Sequence, residues 1–172
     1  MASSLQGVMG SLMVFAPAAT REKAEYSEIY NEHCHRIYSL AFYLTDNELT
    51  AEQMAANTFL RAFASARKPA AAHVDQAFVS EAREFAPIGT LTLNPVVASE
   101  ATNIRGNVKR VHLERAVVQL PATEKLVFLF HDVEGYEHKR VGALLGLSEE
   151  ESALALHNAR VRIRELLASQ IG

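Results

Sequence analysis

LGLSEEESALALHNARVRIRELLA, residues 145–168, decides how the C-terminal part of this chain folds. Gly146 suits the end of one helix, where a residue without a Cβ can turn left-handed. Ser148 and Glu151 stand at capping-box spacing, so each side chain can satisfy the other's free backbone N–H at the start of the next helix. A short Gly-Leu-Ser turn between two helices predicts a helix-turn-helix unit. Upstream, YEHKRVGALLG (136–146) supplies the first helix of that unit. PATEKLVFLFHDVEG (121–135) is opened by Pro121 and closed by Gly135, and KRVHLERAVVQL (109–120) supplies one helix more. Leu126, Val127, Phe130, Val141, Leu144, Leu145, Leu147 and Leu166 are expected to form the core of this half.

The N-terminal half carries its own helical period. In AEYSEIYNEHCHRIYSLAFYL (24–44), Tyr26, Ile29, Tyr30, His33, Ile37, Leu40, Ala41 and Leu44 fall on one face. TAEQMAANTFLRAFASARKP (50–69) repeats the pattern with Ala51, Met54, Ala55, Thr58, Phe59, Ala62 and Phe63. Thr50 and Gln53 are read as its capping box, and Pro69 as its stop. Tyr26, Tyr30, Tyr38, Phe42, Tyr43, Phe59 and Phe63 are expected in the core, as aromatics at helical spacing usually are. VDQAFVSEAREFAP (74–87) reads as a short helix, and IGTLTLNPVVASEATNIRGN (88–107), with its glycines, proline and alternating Thr and Leu, as extended linker with a short strand over 90–93.

The expected architecture is all-α: two small helical domains joined by a linker, the C-terminal one a four-helix helix-turn-helix domain. The divisions are 1–23 as a flexible leader, 24–68 as the first domain, 69–110 as short helix plus linker, and 111–172 as the second domain. With 172 residues, 49% hydrophobic and 22% charged, the chain can bury a core. The net charge of −3 is not the strong basic balance of a dedicated nucleic-acid binder, though it leaves room for a local basic patch. Cys34 is the single cysteine, which rules out an internal disulfide and points to a reducing, cytoplasmic setting. In the leader, no Lys or Arg precedes the apolar run, and Gly7 and Gly10 interrupt it, so neither a secretion signal nor a membrane span is expected.

Catalytic and metal chemistry find little support. His33 and His35 point about 200° apart on a helix, so they cannot share an ion without a third ligand. No nucleophile is spaced to a base, and no glycine-rich phosphate loop is present. No enzyme, metal or cofactor is expected.

IYNEHCHRIYSLAFYLTDNELTAEQMAANTFLRAFA (29–64) resembles the first part of region 2 of bacterial extracytoplasmic-function sigma factors. LERAVVQLPATEKLVFLFHDVEGYEHKRVGALLGLSEEESALALHNARVRIRELL (113–167) resembles their region 4. The resemblance implies that the first part docks on RNA polymerase core, with Glu52, Gln53, Asn57 and Arg61 as contact candidates. It implies that the last helix enters the major groove of promoter DNA, with Lys139, Arg140, Ser152, His157, Arg160 and Arg164 as candidates. Where the family carries an aromatic, basic promoter-melting helix, this chain has AFVSEAREFAPIGTLTLNP, with Arg83 as its only cation and no tryptophan anywhere in the sequence. Where the family's reading helix carries cations, this chain has Ala153, Ala155 and Asn158, preceded by Glu149, Glu150 and Glu151. Acids in a first helical turn complement the helix dipole, but they repel phosphates. Residues 111–168 hold seven basic and nine acidic side chains. Two functions follow: a sigma factor-like regulator of transcription initiation acting with RNA polymerase and promoter DNA, or a sigma-like module that engages a protein partner, an anti-sigma factor or polymerase, with little or no DNA binding.

Overall fold

The computed structural model describes residues 18–89 and 108–171. They fold as α1 (Ala18–Thr45), α2 (Glu48–Ser65), α3 (Ala71–Phe85), α4 (Arg110–Val118), α5 (Ala122–Phe128), α6 (His138–Leu145) and α7 (Glu149–Ile171), with a π-helical turn, Leu129–Val133, extending α5. No strand occurs among the described residues, so the fold is all-α. The short strand expected over 90–93 and most of the 1–23 leader lie outside them.

α1 and α2 form an antiparallel pair. The ring of Tyr26 meets Phe63 and that of Tyr30 meets Phe59, each at 4.9 Å between centroids. The start of α2 corrects the expected capping box at Thr50 and Gln53. The helix begins earlier, at Glu48, because Asn47 is the N-cap and its Oδ1 accepts the Thr50 N–H at 2.9 Å. The seven aromatics are not uniformly core either. Phe59 is 4% exposed, but Tyr30 is 47% exposed and the other five are half-buried, because rings this long on a two-helix face spill over its edge. α3 and α4 share a cap that the sequence did not announce. In each, a histidine at the third helical position accepts the N-cap N–H, Ala70 to His73 Nδ1 at 3.0 Å and Lys109 to His112 Nδ1 at 3.2 Å.

In the C-terminal half, Leu126, Val127, Phe130, Val141 and Leu145 are fully buried, whereas Leu144, Leu147 and Leu166 are half-buried at its rim. Leu167 takes the inward place expected for Leu166. The two halves are packed together around one continuous hydrophobic cluster. Phe78 of α3 meets Phe130 of the π turn edge-on at 6.3 Å. Gly89, with φ +74°, passes so close to α6 that a Cβ there would stand 2.0 Å from the Leu145 carbonyl oxygen. Its N–H donates to Thr123 Oγ1 of α5 at 3.2 Å.

Candidate nucleic-acid interface

The helix-turn-helix is α6, the turn 146–148, and α7. Gly146 adopts φ 72° and ψ 34°, a left-handed conformation that costs a glycine nothing, and its N–H returns to the Gly142 carbonyl. The Leu147 N–H reaches the same carbonyl at 2.9 Å. The Ser148–Glu151 box is formed as the spacing requires: the Glu151 N–H donates to Ser148 Oγ at 3.1 Å, and the Ser148 N–H to Glu151 Oε2 at 2.8 Å.

Ser152 departs from the expectation that it reaches DNA. It is 0% exposed, and its hydroxyl lies 3.1 Å from His138 Nδ1, which ties α7 to the start of α6. Ala155 and Asn158 are also buried, so two of the positions matched to cations in the family's helix face the core here. The side of α7 that is open to solvent carries Glu149, Glu150, Ala153, His157, Arg160 and Arg164.

Several cations of this half are engaged internally. Arg160 grips Asp132 of the π turn with two bonds, Nη2 to Oδ1 at 2.7 Å and Nε to Oδ2 at 3.0 Å. Arg162 faces the buried Glu124 of α5 at 2.8 Å. Arg140 donates to Asp75 Oδ2 of α3 at 2.9 Å and stacks on the Tyr136 ring, 3.5 Å from its centroid. Lys139, Arg115 and Arg164 remain exposed. Thus, of the four cations proposed to meet phosphate, Lys139 and Arg164 stand open, while Arg140 and Arg160 are half-exposed and paired.

Around Asp75 the two halves meet through polar groups. Asp75 is 1% exposed and accepts three donors: Arg36 Nη2 at 2.7 Å from α1, Tyr136 Oη at 2.8 Å and Arg140 from the C-terminal half. Burial, with the bond to Asp75, pushes the Tyr136 phenol above its ordinary value, so it stays a donor.

Residues 110–163 match the family described as "Sigma-70, region 4". A curated relative, the ECF RNA polymerase sigma factor SigE of Mycolicibacterium smegmatis, is 23% identical over 159 residues, covering 83% of this chain. The chain spans 62% of that relative's length. Residues 110–163 are thus similar to sigma-70 region 4, and the chain is similar over most of its length to an extracytoplasmic-function sigma factor. The region 4 match runs from the start of α4 into α7 and contains α6, the turn and α7 as far as Ile163.

In the N-terminal half, Glu52, Gln53 and Asn57 stand exposed together on α2, beside Leu49 at 74% and Leu60 at 69% exposure. Arg61 is drawn away from that face. It bonds Glu81 at 2.8 Å and Glu84 at 2.7 Å, which fastens α2 to α3. On α3, Asp75, Val79 and Arg83 turn toward α6 and line a cleft with Arg140 and Leu144. Arg83 donates to the Leu144 carbonyl at 3.4 Å. The residues that sequence reasoning passed over, Asp75, Asp132 and His138, act through partners on other helices. No helix among the described residues is long and apolar enough to cross a membrane.

Proposed function

We propose that this chain is a sigma factor-like regulator of transcription initiation that works with RNA polymerase core and promoter DNA. The observation that carries the reading is the helix-turn-helix matched to sigma-70 region 4, with His157, Arg160 and Arg164 on one open stripe of α7. In this reading Arg164, Lys139 and Arg160 approach phosphates, His157 reaches base edges, and the exposed Glu52–Gln53–Asn57 face of α2 meets polymerase. Ser152 would act only indirectly, by holding α7 on His138. The test is a titration of the full chain against duplex DNA over a range of salt, with and without purified polymerase core. DNA binding with a log–log slope of roughly −2 to −3 is expected for so few phosphate contacts, together with a stable complex with core enzyme.

A second reading has its own support. Arg140 and Arg160 are held by internal carboxylates, and Glu149, Glu150 and Glu151 front α7. A module that binds polymerase or an anti-sigma factor with little DNA affinity would show the core complex and no duplex binding even at low salt.

A further inference from the structure

Five side chains beside the open stripe of α7 form one connected polar network: Ser152 and Arg160 of α7, His138 at the start of α6, and His131 and Asp132 of the π turn. The imidazoles of His131 and His138 lie nearly parallel, with planes 22° apart and centroids 4.2 Å apart. His138 Nδ1 is occupied by the Ser152 hydroxyl at 3.1 Å, and His131 Nδ1 by Asp132 Oδ1 at 2.9 Å. That same carboxylate oxygen accepts Arg160 Nη2 at 2.7 Å. Asp132 is therefore shared between a permanent cation and a ring that becomes one when it takes up a proton. The charged groups acting on His138 are Asp132 and His131 of the turn and Glu149 and Arg160 of α7, with Lys139 exposed beside it on α6.

The bonds from Arg160, then that from His131, keep Asp132 ionised, so His131 Nδ1 carries the hydrogen it donates and an added proton goes to Nε2. Burial, and then the stacked neighbour, hold His138 neutral, which leaves the proton to His131, whose side chain is 29% exposed. While His131 is neutral, an Arg160 that turns to a phosphate deprives Asp132 of its only counter-charge within the network. Once His131 is an imidazolium, Asp132 keeps a full counter-charge at 2.9 Å. We infer that His131 and Asp132 form a proton-operated release for Arg160: proton uptake by His131 gives Asp132 a replacement cation, frees Arg160 for a phosphate, and tightens the binding of duplex DNA in mildly acidic solution. This rests on the DNA-binding reading above. Linkage makes the coupling reciprocal, so DNA binding must itself draw a proton onto the chain.

The test compares the full wild-type chain with His131→Gln, which keeps a neutral donor toward Asp132, and with Asp132→Asn. His157 stands one turn before Arg160 on the same stripe and takes up its own proton, but it is present in all three chains, so the difference between them isolates His131. Affinity for a labelled duplex is measured by fluorescence anisotropy at one low salt concentration from pH 8 to pH 6, the range in which histidine changes charge. Calorimetry in two buffers of different ionisation enthalpy counts the protons taken up on binding. From pH 8 to pH 6 the wild type is expected to gain roughly fivefold or more over whatever His131→Gln gains, and to take up more protons. Asp132→Asn is expected to bind more tightly than wild type already at pH 8, by a similar factor, and to gain less on acidification. Circular dichroism checks that each chain retains its helices. Equal gains and equal proton uptake by wild type and His131→Gln would overturn the inference and leave the DNA reading intact. No binding by the wild-type chain at either pH, even at low salt, would overturn both.

Discussion

Arg160 and Asp132 meet in a two-pronged pair across the gap between α7 and the π turn, at 2.7 and 3.0 Å. The guanidinium most central on the open stripe of α7 is thus partly neutralised within the fold. His131 Nδ1 lies 2.9 Å from the same carboxylate. The bonds from Arg160, then the one from His131, hold the Asp132 carboxyl below its ordinary value.

Replacing Asp132 with Asn is expected to release Arg160 and to remove a negative charge beside the stripe. The salt dependence of DNA binding should steepen by about one unit of slope, the contribution of one more phosphate contact. The same variant should blunt acid sensitivity. A depressed carboxyl contributes stability that is present above its unfolded value of 3.8 and is lost as pH falls through the lower folded value. Urea midpoints of parent and variant between pH 5 and pH 2 check the sign, and parallel curves would rule it out.

His138 titrates in the opposite chemical sense to a carboxylate yet gives stability in the same direction. Burial first, and then the charge of His131 stacked at 4.2 Å, push its pKa below the ordinary 6.5. The neutral ring is the one that fits the Ser152 contact in the fold. Its contribution is therefore complete above pH 6.5 and declines as pH falls from there through the lower folded value. His138→Asn should flatten the fall in melting temperature between pH 7 and pH 5. An unchanged slope would place that proton uptake elsewhere.

Phe130 is 0% exposed and touches Phe78 of the other half, with Tyr136 stacked on it at 5.6 Å. Truncation to Ala should cost about 3–5 kcal/mol, the usual figure for a buried phenylalanine. Denaturant unfolding measures it, and a cost under about 1 kcal/mol would contradict the burial.

On α7, Ala153 and Ala155 should respond in opposite ways to added charge. Ala153 is exposed, so Ala153→Lys is expected to leave stability within about 0.5 kcal/mol and to raise DNA affinity. Ala155 is 0% exposed, so Ala155→Arg forces a cation into packed space and should destabilise by several kcal/mol. Thermal melts of the two variants decide which face of the helix looks outward.

The short-range features were readable along the chain. The Ser148–Glu151 box, Gly146 as a left-handed stop and Pro121 as a start each involve residues within a turn of one another, so their chemistry acts wherever the chain goes. Much of the periodic faces of α1 and α2 followed for the same reason, since a period of 3.6 residues is a local property. Where two local solutions competed, at Asn47 against Thr50, the earlier cap won because a side chain with a free carboxamide oxygen was already in place. What α7 offers to DNA was another matter. Ala155 and Asn158 face inward and Ser152 is consumed by His138, because α4, α5 and α6 approach that side of the helix. The fate of the cations was decided wholly by the tertiary fold. Arg160 pairs with Asp132 across 28 positions, Arg36 with Asp75 across 39 and Arg140 with Asp75 across 65. A charge's strength belongs to the residue, but its availability depends on which opposite charge the packing brings within 3 Å, and no period in the sequence encodes that distance.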